Sequence, residues 1–177
     1  MRTLEYHVAI TLDGFLAHPD GTWEGIPAEG EHVTDYLEAQ RGYDVVLMGR
    51  KTYEVGVRMG VTSPYPTMRQ YVFSRSMAAS PDPAVELVQR DAAGVVRRIK
   101  ESEDGRPVWL CGGGELAATL MEAGLIDRIV VKLAPVVFGA GIPMFARGFP
   151  HRGLDLVERK PYANGVQRLT YRVGQRT

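Results

Sequence analysis

Two apolar periods alternate along this chain. Apolar residues fall at every second position, then at every third or fourth, and the switch repeats through the first two-thirds of the sequence. Residues 4–14 read as a strand with Tyr6, Val8, Ile10 and Leu12 on one face and Thr11 on the other, closed by the Asp13-Gly14 turn signal. Residues 32–42 read as a short helix with Val33, Tyr36, Leu37 and Gln40 inward, 43–49 as a buried strand, and 50–60 as a helix fraying at glycines. Strands follow at 68–76 and 84–89. A helix over 91–105 starts on Asp91 as N-cap and turns Val95, Val96 and Ile99 to the core. Residues 106–113 are a strand, 115–124 a helix with Leu116, Leu120 and Met121 inward and Gly124 just past its end, and 126–138 a long strand. After that the pattern is β only: 154–160 and 166–173 form a hairpin around an Asn-Gly turn. This order specifies an α/β fold with a mostly parallel central sheet of about eight strands, helices on both faces and an antiparallel C-terminal edge hairpin. Residues 1–177 read as a single domain.

Open sheets of this kind bind ligands beyond the carboxyl ends of their strands. Four such ends matter here: Asp13-Gly14-Phe15; Gly49, Arg50, Lys51 and Thr52; Ser74 and Arg75; and Gly112, Gly113 and Gly114. Glycines let an anion approach the backbone, and a helix start offers unpaired N–H groups with the positive end of a dipole. Arg50 and Arg75 add guanidinium groups for a terminal phosphate, with Ser74 and Thr52 adding hydroxyls. Each feature also has a plain structural reading, the glycines as a tight turn and the arginines as solvated surface charges. The run is neither G-x-G-x-x-G nor a phosphate loop ending in Gly-Lys-Ser/Thr, so an ordinary dinucleotide fingerprint and NTP hydrolysis are both disfavoured.

Lys and Arg total 21, as do Asp and Glu, so the chain lacks the basic excess of a nucleic-acid-binding surface. No apolar run reaches membrane-spanning length, and Glu5 and His7 stand where a signal peptide needs its apolar stretch. The single Cys111 fits a reducing cytoplasm and reads as a small core residue. The four histidines have no metal-ligand spacing, so no metal is expected.

The stretches AITLDGFLA, VVLMGRKTYE, YVFSR and WLCGGGELAATLMEAGLIDRIVVKLAPVVFGAGIPMF, taken in order, resemble the dihydrofolate reductase superfamily. The nearest branch is the C-terminal reductase domain of the bifunctional riboflavin-biosynthesis deaminase/reductase. The resemblance implies a dihydrofolate-reductase-like three-layer fold and NADPH as cofactor. It places Gly49, Arg50, Lys51 and Thr52 at the pyrophosphate and 2′-phosphate, and Ser74 and Arg75 beside the adenosine ribose and 2′-phosphate. Gly112, Gly113, Gly114, Glu115 and Leu116 would cradle the pyrophosphate and nicotinamide ribose, and Ala9 and Ile10 would pack on the nicotinamide.

Hydride transfer to a small heterocyclic or carbonyl substrate is the implied chemistry, and a proton must follow the hydride. Asp35 is the nearest counterpart of the pterin-binding carboxylate of dihydrofolate reductase, although helical spacing turns it to the solvent side. Asp13, ending the nicotinamide strand, is the other acid candidate. Trp23, in the long loop 17–31, is a candidate lid over the substrate, and Lys132 and Arg147 are candidate cations for an acidic or phosphorylated one. The relatives imply a homodimer, with 134–145 and the last hairpin as interface. Two other readings stand: dihydrofolate reductase itself, and a non-catalytic NADP(H)-binding sensor or scaffold.

Overall fold

The structure is a computed structural model and describes residues 1–102 and 105–174. Its elements are β1 (Leu4–Thr11), β2 (Phe15–Ala17), α1 (Glu31–Gln40), β3 (Val45–Gly49), α2 (Arg50–Arg58), β4 (Arg69–Phe73), β5 (Val85–Val88), α3 (Ala92–Glu101), β6 (Val108–Gly112), α4 (Gly114–Glu122), β7 (Arg128–Ala134), β8 (Ile142–Pro143), β9 (Leu154–Pro161) and β10 (Gln167–Val173). Eight of the strands form one sheet in the order β5-β4-β3-β6-β1-β7-β10-β9. From β5 to β7 every neighbouring pair is parallel, and β10 and β9 join antiparallel. Residues 103 and 104, read from the sequence as the end of the third helix, lie outside the described residues.

Two apolar layers explain the helix placement. Leu4, Tyr6 and Val8 of β1, Val45 and Leu47 of β3 and Leu110 of β6 pack with Val96 of α3 and with Leu116, Leu120 and Met121 of α4. On the opposite face Val46, Met48, Val72 and Trp109 pack with Tyr53 of α2 and Tyr36 of α1. β3 is buried on both faces, so it carries no polar alternation. α4 buries Leu116, Ala117, Ala118, Leu120 and Met121 and leaves Glu115 and Glu122 exposed, and Gly124 follows it at φ 67°. α3 starts as expected, with the Asp91 carboxylate accepting from Gly94 N.

Four expectations change. Leu12 is exposed beyond the end of β1. β7 stops at Ala134, because the chain then turns to supply Val136 O to Leu12 N. The short strands β2 and β8 pair in a separate two-stranded sheet, too brief to leave a period in the sequence. α1 is rotated from the expected face: Leu37 is 56% exposed, whereas His32 is buried and Asp35 faces the hairpin. The hairpin offers cations beneath α1, so Asp35 turns inward with Tyr36, while Glu31 meets Lys160 from the exposed side.

Candidate active site

The sheet has one crossing point at its carboxyl edge. β3 leads through α2 to β4 on one side, while its neighbour β6 leads through α4 to β7 on the other, past β1. The two helix starts therefore sit side by side, with a crevice between them. Gly49 and Gly113 set that closeness. A Cβ on Gly49 would stand 2.9 Å from Gly113 Cα, and one on Gly113 would stand 2.9 Å from Gly49 Cα. Gly113 also has φ 104°, which disfavours any side chain. Its neighbours are equally confined, Gly112 by Thr52 Oγ1 and Gly114 by Pro143 O. Close packing thus accounts for the triplet, against backbone at Gly113 and Gly114 and against the Thr52 side chain at Gly112.

The helix starts are open electrostatically. Neither Gly49 at the start of α2 nor Gly113 at the start of α4 has a side-chain cap, whereas α3, away from the crevice, is capped by Asp91. The first-turn N–H groups of Arg50, Lys51 and Thr52 and of Gly114, Glu115 and Leu116 accordingly lie at two positive dipole ends. The Leu116 side chain is buried in the core, so only its backbone can face a ligand. Glu115 is exposed.

The other candidates divide. Arg50 is held by Glu54, at 2.7 and 2.9 Å, one turn along α2. Lys51 and Arg75 are exposed. Ser74 is buried and its hydroxyl accepts from Ser76 N and Met77 N, shaping the turn that presents Arg75. Ala9 and Ile10 lie half-buried near the end of β1, two strands from β3. Trp23 lines a cleft of about 720 Å³ with Ile26, Val55, Arg58 and Met59, against the later turns of α2; neither Ala9 nor Ile10 borders that cleft.

The two acid candidates are engaged elsewhere. Asp13 accepts from Thr11 Oγ1 at 2.5 Å, from Gly139 N at 2.7 Å and from Phe138 N at 3.0 Å. These bonds, the Thr11 hydroxyl foremost, hold its carboxyl below the usual range. It therefore ties the β1 turn to loop 136–139 as an ionised clamp. Asp35 is not on the solvent side: its side chain is 19% exposed and accepts from Lys160 Nζ at 2.6 Å and Tyr162 Oη at 2.7 Å. The Lys160 bond, then Tyr162, depresses its pKa and raises that of Lys160.

Sequence reading gave little weight to the polar groups under α1. Lys132 stands on β7, an interior strand, not an edge, and its ammonium lies 3.4 Å from the centre of the Tyr36 ring. Burial lowers its pKa to about 8. His7, 3% exposed, is held at about 3, first by burial and then by Lys132 and Arg168. Arg147, the other candidate cation, pairs with Glu122 at the end of α4. Among the described residues no group of three His, Cys, Asp or Glu can hold a metal ion. No helix among them is long and apolar enough to cross a membrane.

A parallel sheet crossing between β3 and β6, with an antiparallel edge hairpin, defines the dihydrofolate-reductase-like fold class. The comparisons agree. Residues 2–168 match the RibD C-terminal domain, and the chain belongs to that family. It is 32% identical over 162 residues to the uncharacterized protein YwjB of Bacillus subtilis, covering 91% of this chain and 92% of that one. It is 31% identical to the riboflavin biosynthesis protein RibD of Corynebacterium ammoniagenes, over 78% of this chain and 44% of that one. The structure of a putative riboflavin biosynthesis protein from Shewanella superposes with TM-score 0.82 at 20% identity, covering 99% of this chain and all of that one. Enterococcus faecalis dihydrofolate reductase, solved with NADP(H), superposes with TM-score 0.72 at 14% identity, covering 98% and 97%. These two structural likenesses establish the fold.

Proposed function

We propose that this chain is an NADPH-dependent reductase that transfers a hydride to a small heterocyclic or carbonyl substrate, in the manner of the riboflavin-pathway uracil reductase. One observation carries the reading: the backbone contact of Gly49 with Gly113 sets two uncapped helix starts side by side at the crossing of the sheet. A pyrophosphate fits that arrangement, because it presents two adjacent anionic groups to two dipole ends. Arg75, exposed beside the Ser74 turn, is the better of the two arginines for the 2′-phosphate. Arg50 joins only by leaving Glu54. Ala9 and Ile10 would receive the nicotinamide. When bound, NADPH would supply the hydride, and the protein would supply placement and exclusion of water.

Dihydrofolate is the less favoured substrate. A pterin-binding carboxylate on α1 would have to be Asp35, which Lys160 and Tyr162 already occupy. We also propose a homodimer. Beside α4, an apolar groove of about 350 Å³ opens over β7 and β10, lined by the half-buried Leu133, Leu169 and Tyr171 with Met144 and Phe145, and reaching Ile10 of β1. The proposed setting is the cytoplasm, where one unpaired cysteine stays reduced.

The test is titration with NADPH and with NADH, read by quenching of Trp23 and Trp109 fluorescence and repeated with Arg75→Ala and Arg50→Ala. We expect NADPH to bind at least about tenfold more tightly than NADH, with Arg75→Ala abolishing most of that preference. Failure of both nucleotides to bind saturably would overturn the reading. Binding without oxidation of NADPH across a substrate panel would support the sensor or scaffold reading instead.

A further inference from the structure

Beneath α1 the sheet carries cations on adjacent strands. The register sets Ala9 of β1 beside Lys132 of β7, Lys132 beside Arg168 of β10, and Arg168 beside Lys160 of β9. The outer two are answered by carboxylates: Lys160 by Glu31 and Asp35, and Arg168 by Glu158 with Asp35 at 3.9 Å. Lys132 is not. Among the described residues it has no carboxylate within ion-pair distance, and its close neighbour is the Tyr36 ring. Such a desolvated cation lacks the counter-charge that normally offsets its burial.

Two polar atoms in the same strip also lack partners, His7 Nε2 and Arg168 Nε. The protonation of His7 follows from its neighbours. The Tyr43 hydroxyl donates to Glu5 Oε2 at 2.8 Å, so towards His7 it acts as acceptor. His7 Nδ1, 3.3 Å away, must then carry the ring proton, which leaves Nε2 as a bare acceptor. The strip therefore holds an unanswered ammonium and an unanswered acceptor, both covered by the Tyr36 ring, so a ligand reaches them by displacing that ring.

We propose that Lys132 and His7 form the polar edge of the substrate site, which takes a planar heterocycle carrying an anionic oxygen for Lys132 and an N–H for His7 Nε2. The inference rests on the reductase reading, since Ala9, the strand partner of Lys132, is the residue given to the nicotinamide. Neighbouring strands lie about 5 Å apart, so a ring on Lys132 lies next to the cofactor ring.

Lys132 also dictates how the site responds to pH. The titratable and charged groups around it are His7 on β1, Arg168 on β10 and Tyr36 on α1, with Asp35 next to Arg168 and Cys111 near Tyr36. His7 stays neutral down to about 3, burial pushes the Cys111 thiol up to about 12 and raises Tyr36 as well, and Asp35 is depressed. Arginine keeps its charge throughout. Lys132, at about 8, is the member of this set that changes charge between pH 7 and 9.

The probes are pyrrole-2-carboxylate, its neutral amide pyrrole-2-carboxamide, and furan-2-carboxylate, which lacks the N–H. Each is titrated calorimetrically into the NADP⁺-saturated protein, its Lys132→Met, Lys132→Gln and Lys132→Arg variants, and His7→Leu. We expect the carboxylate to bind about tenfold more tightly than the amide at pH 7, and the preference to fade above pH 8. Lys132→Met and Lys132→Gln should lose the preference, and Lys132→Arg should retain it. His7→Leu should remove the advantage of pyrrole over furan. Equal binding of carboxylate and amide, or a preference that survives in both uncharged variants, would overturn the proposal while NADPH affinity, measured in parallel, upheld the reductase reading. Loss of nucleotide binding by the unmodified protein would overturn both.

Discussion

Gly49 and Gly113 meet backbone to backbone, so close that a Cβ on either would stand 2.9 Å from the other's Cα. This contact joins the ends of two neighbouring parallel strands and so determines how close the two helix starts can lie. Gly113→Ala forces that contact apart and adds a strained φ. We expect a loss of about 1–3 kcal/mol of unfolding free energy by urea denaturation. Gly148→Ala is the control, since nothing lies within 4 Å of a Cβ there. A Gly113→Ala protein as stable as the control would show that the strand ends do not pack in this way.

His7 makes the fold sensitive to mild acid. In the folded protein it stays neutral down to about 3, against an ordinary value of 6.5. The unfolded chain takes up the proton first as pH falls below 6.5, so stability drops from there towards 3. Between pH 7.5 and 5 the loss is on the order of 2 kcal/mol. His7→Leu should flatten that part of the urea-midpoint profile, and an unchanged slope would refute the assignment. Depressed carboxylates such as Asp35 contribute only at lower pH, where their own protonation begins.

Asp35 is assigned to architecture, because Lys160 and Tyr162 occupy its carboxylate. Asp35→Asn should lower the melting temperature and leave NADPH affinity within about twofold, as for sites without shared partners. It should also weaken the link between α1 and the hairpin, seen as faster amide exchange in Glu158–Tyr162. An Asp35→Asn protein of unaltered stability that had lost turnover would restore this residue as the acid.

The apolar groove beside α4 offers the fourth test. Leu169 lies in the apolar groove of β7 and β10. A charge there cannot be buried unpaired between two copies. Leu169→Lys should shift a sedimenting dimer to monomer. A monomeric parent protein would rule out this interface at the outset.

Much of the fold was legible because its signals are local. The all-apolar run 45–48 requires a strand buried on both faces, and Asp91 and Gly124 mark helix ends by their own bonding and φ. The cofactor candidates were legible as strand ends for the same reason. Asp35 was misplaced because helical spacing gives relative angles along α1, not the direction in which the cationic hairpin lies.

The sequence by itself determined the order of the helices and of the eight strands of the main sheet, the antiparallel tail and the places where glycine was needed, since each depends on period, propensity or turn chemistry within a few residues. Only the tertiary structure decided that Gly49 faces Gly113, that Asp13 and Asp35 are already bound, and that Lys132 has no carboxylate within ion-pair distance among the described residues. These are relations between residues tens of positions apart. Burial and partnership set the charge and availability of a side chain, and both arise only when the sheet brings distant strands together.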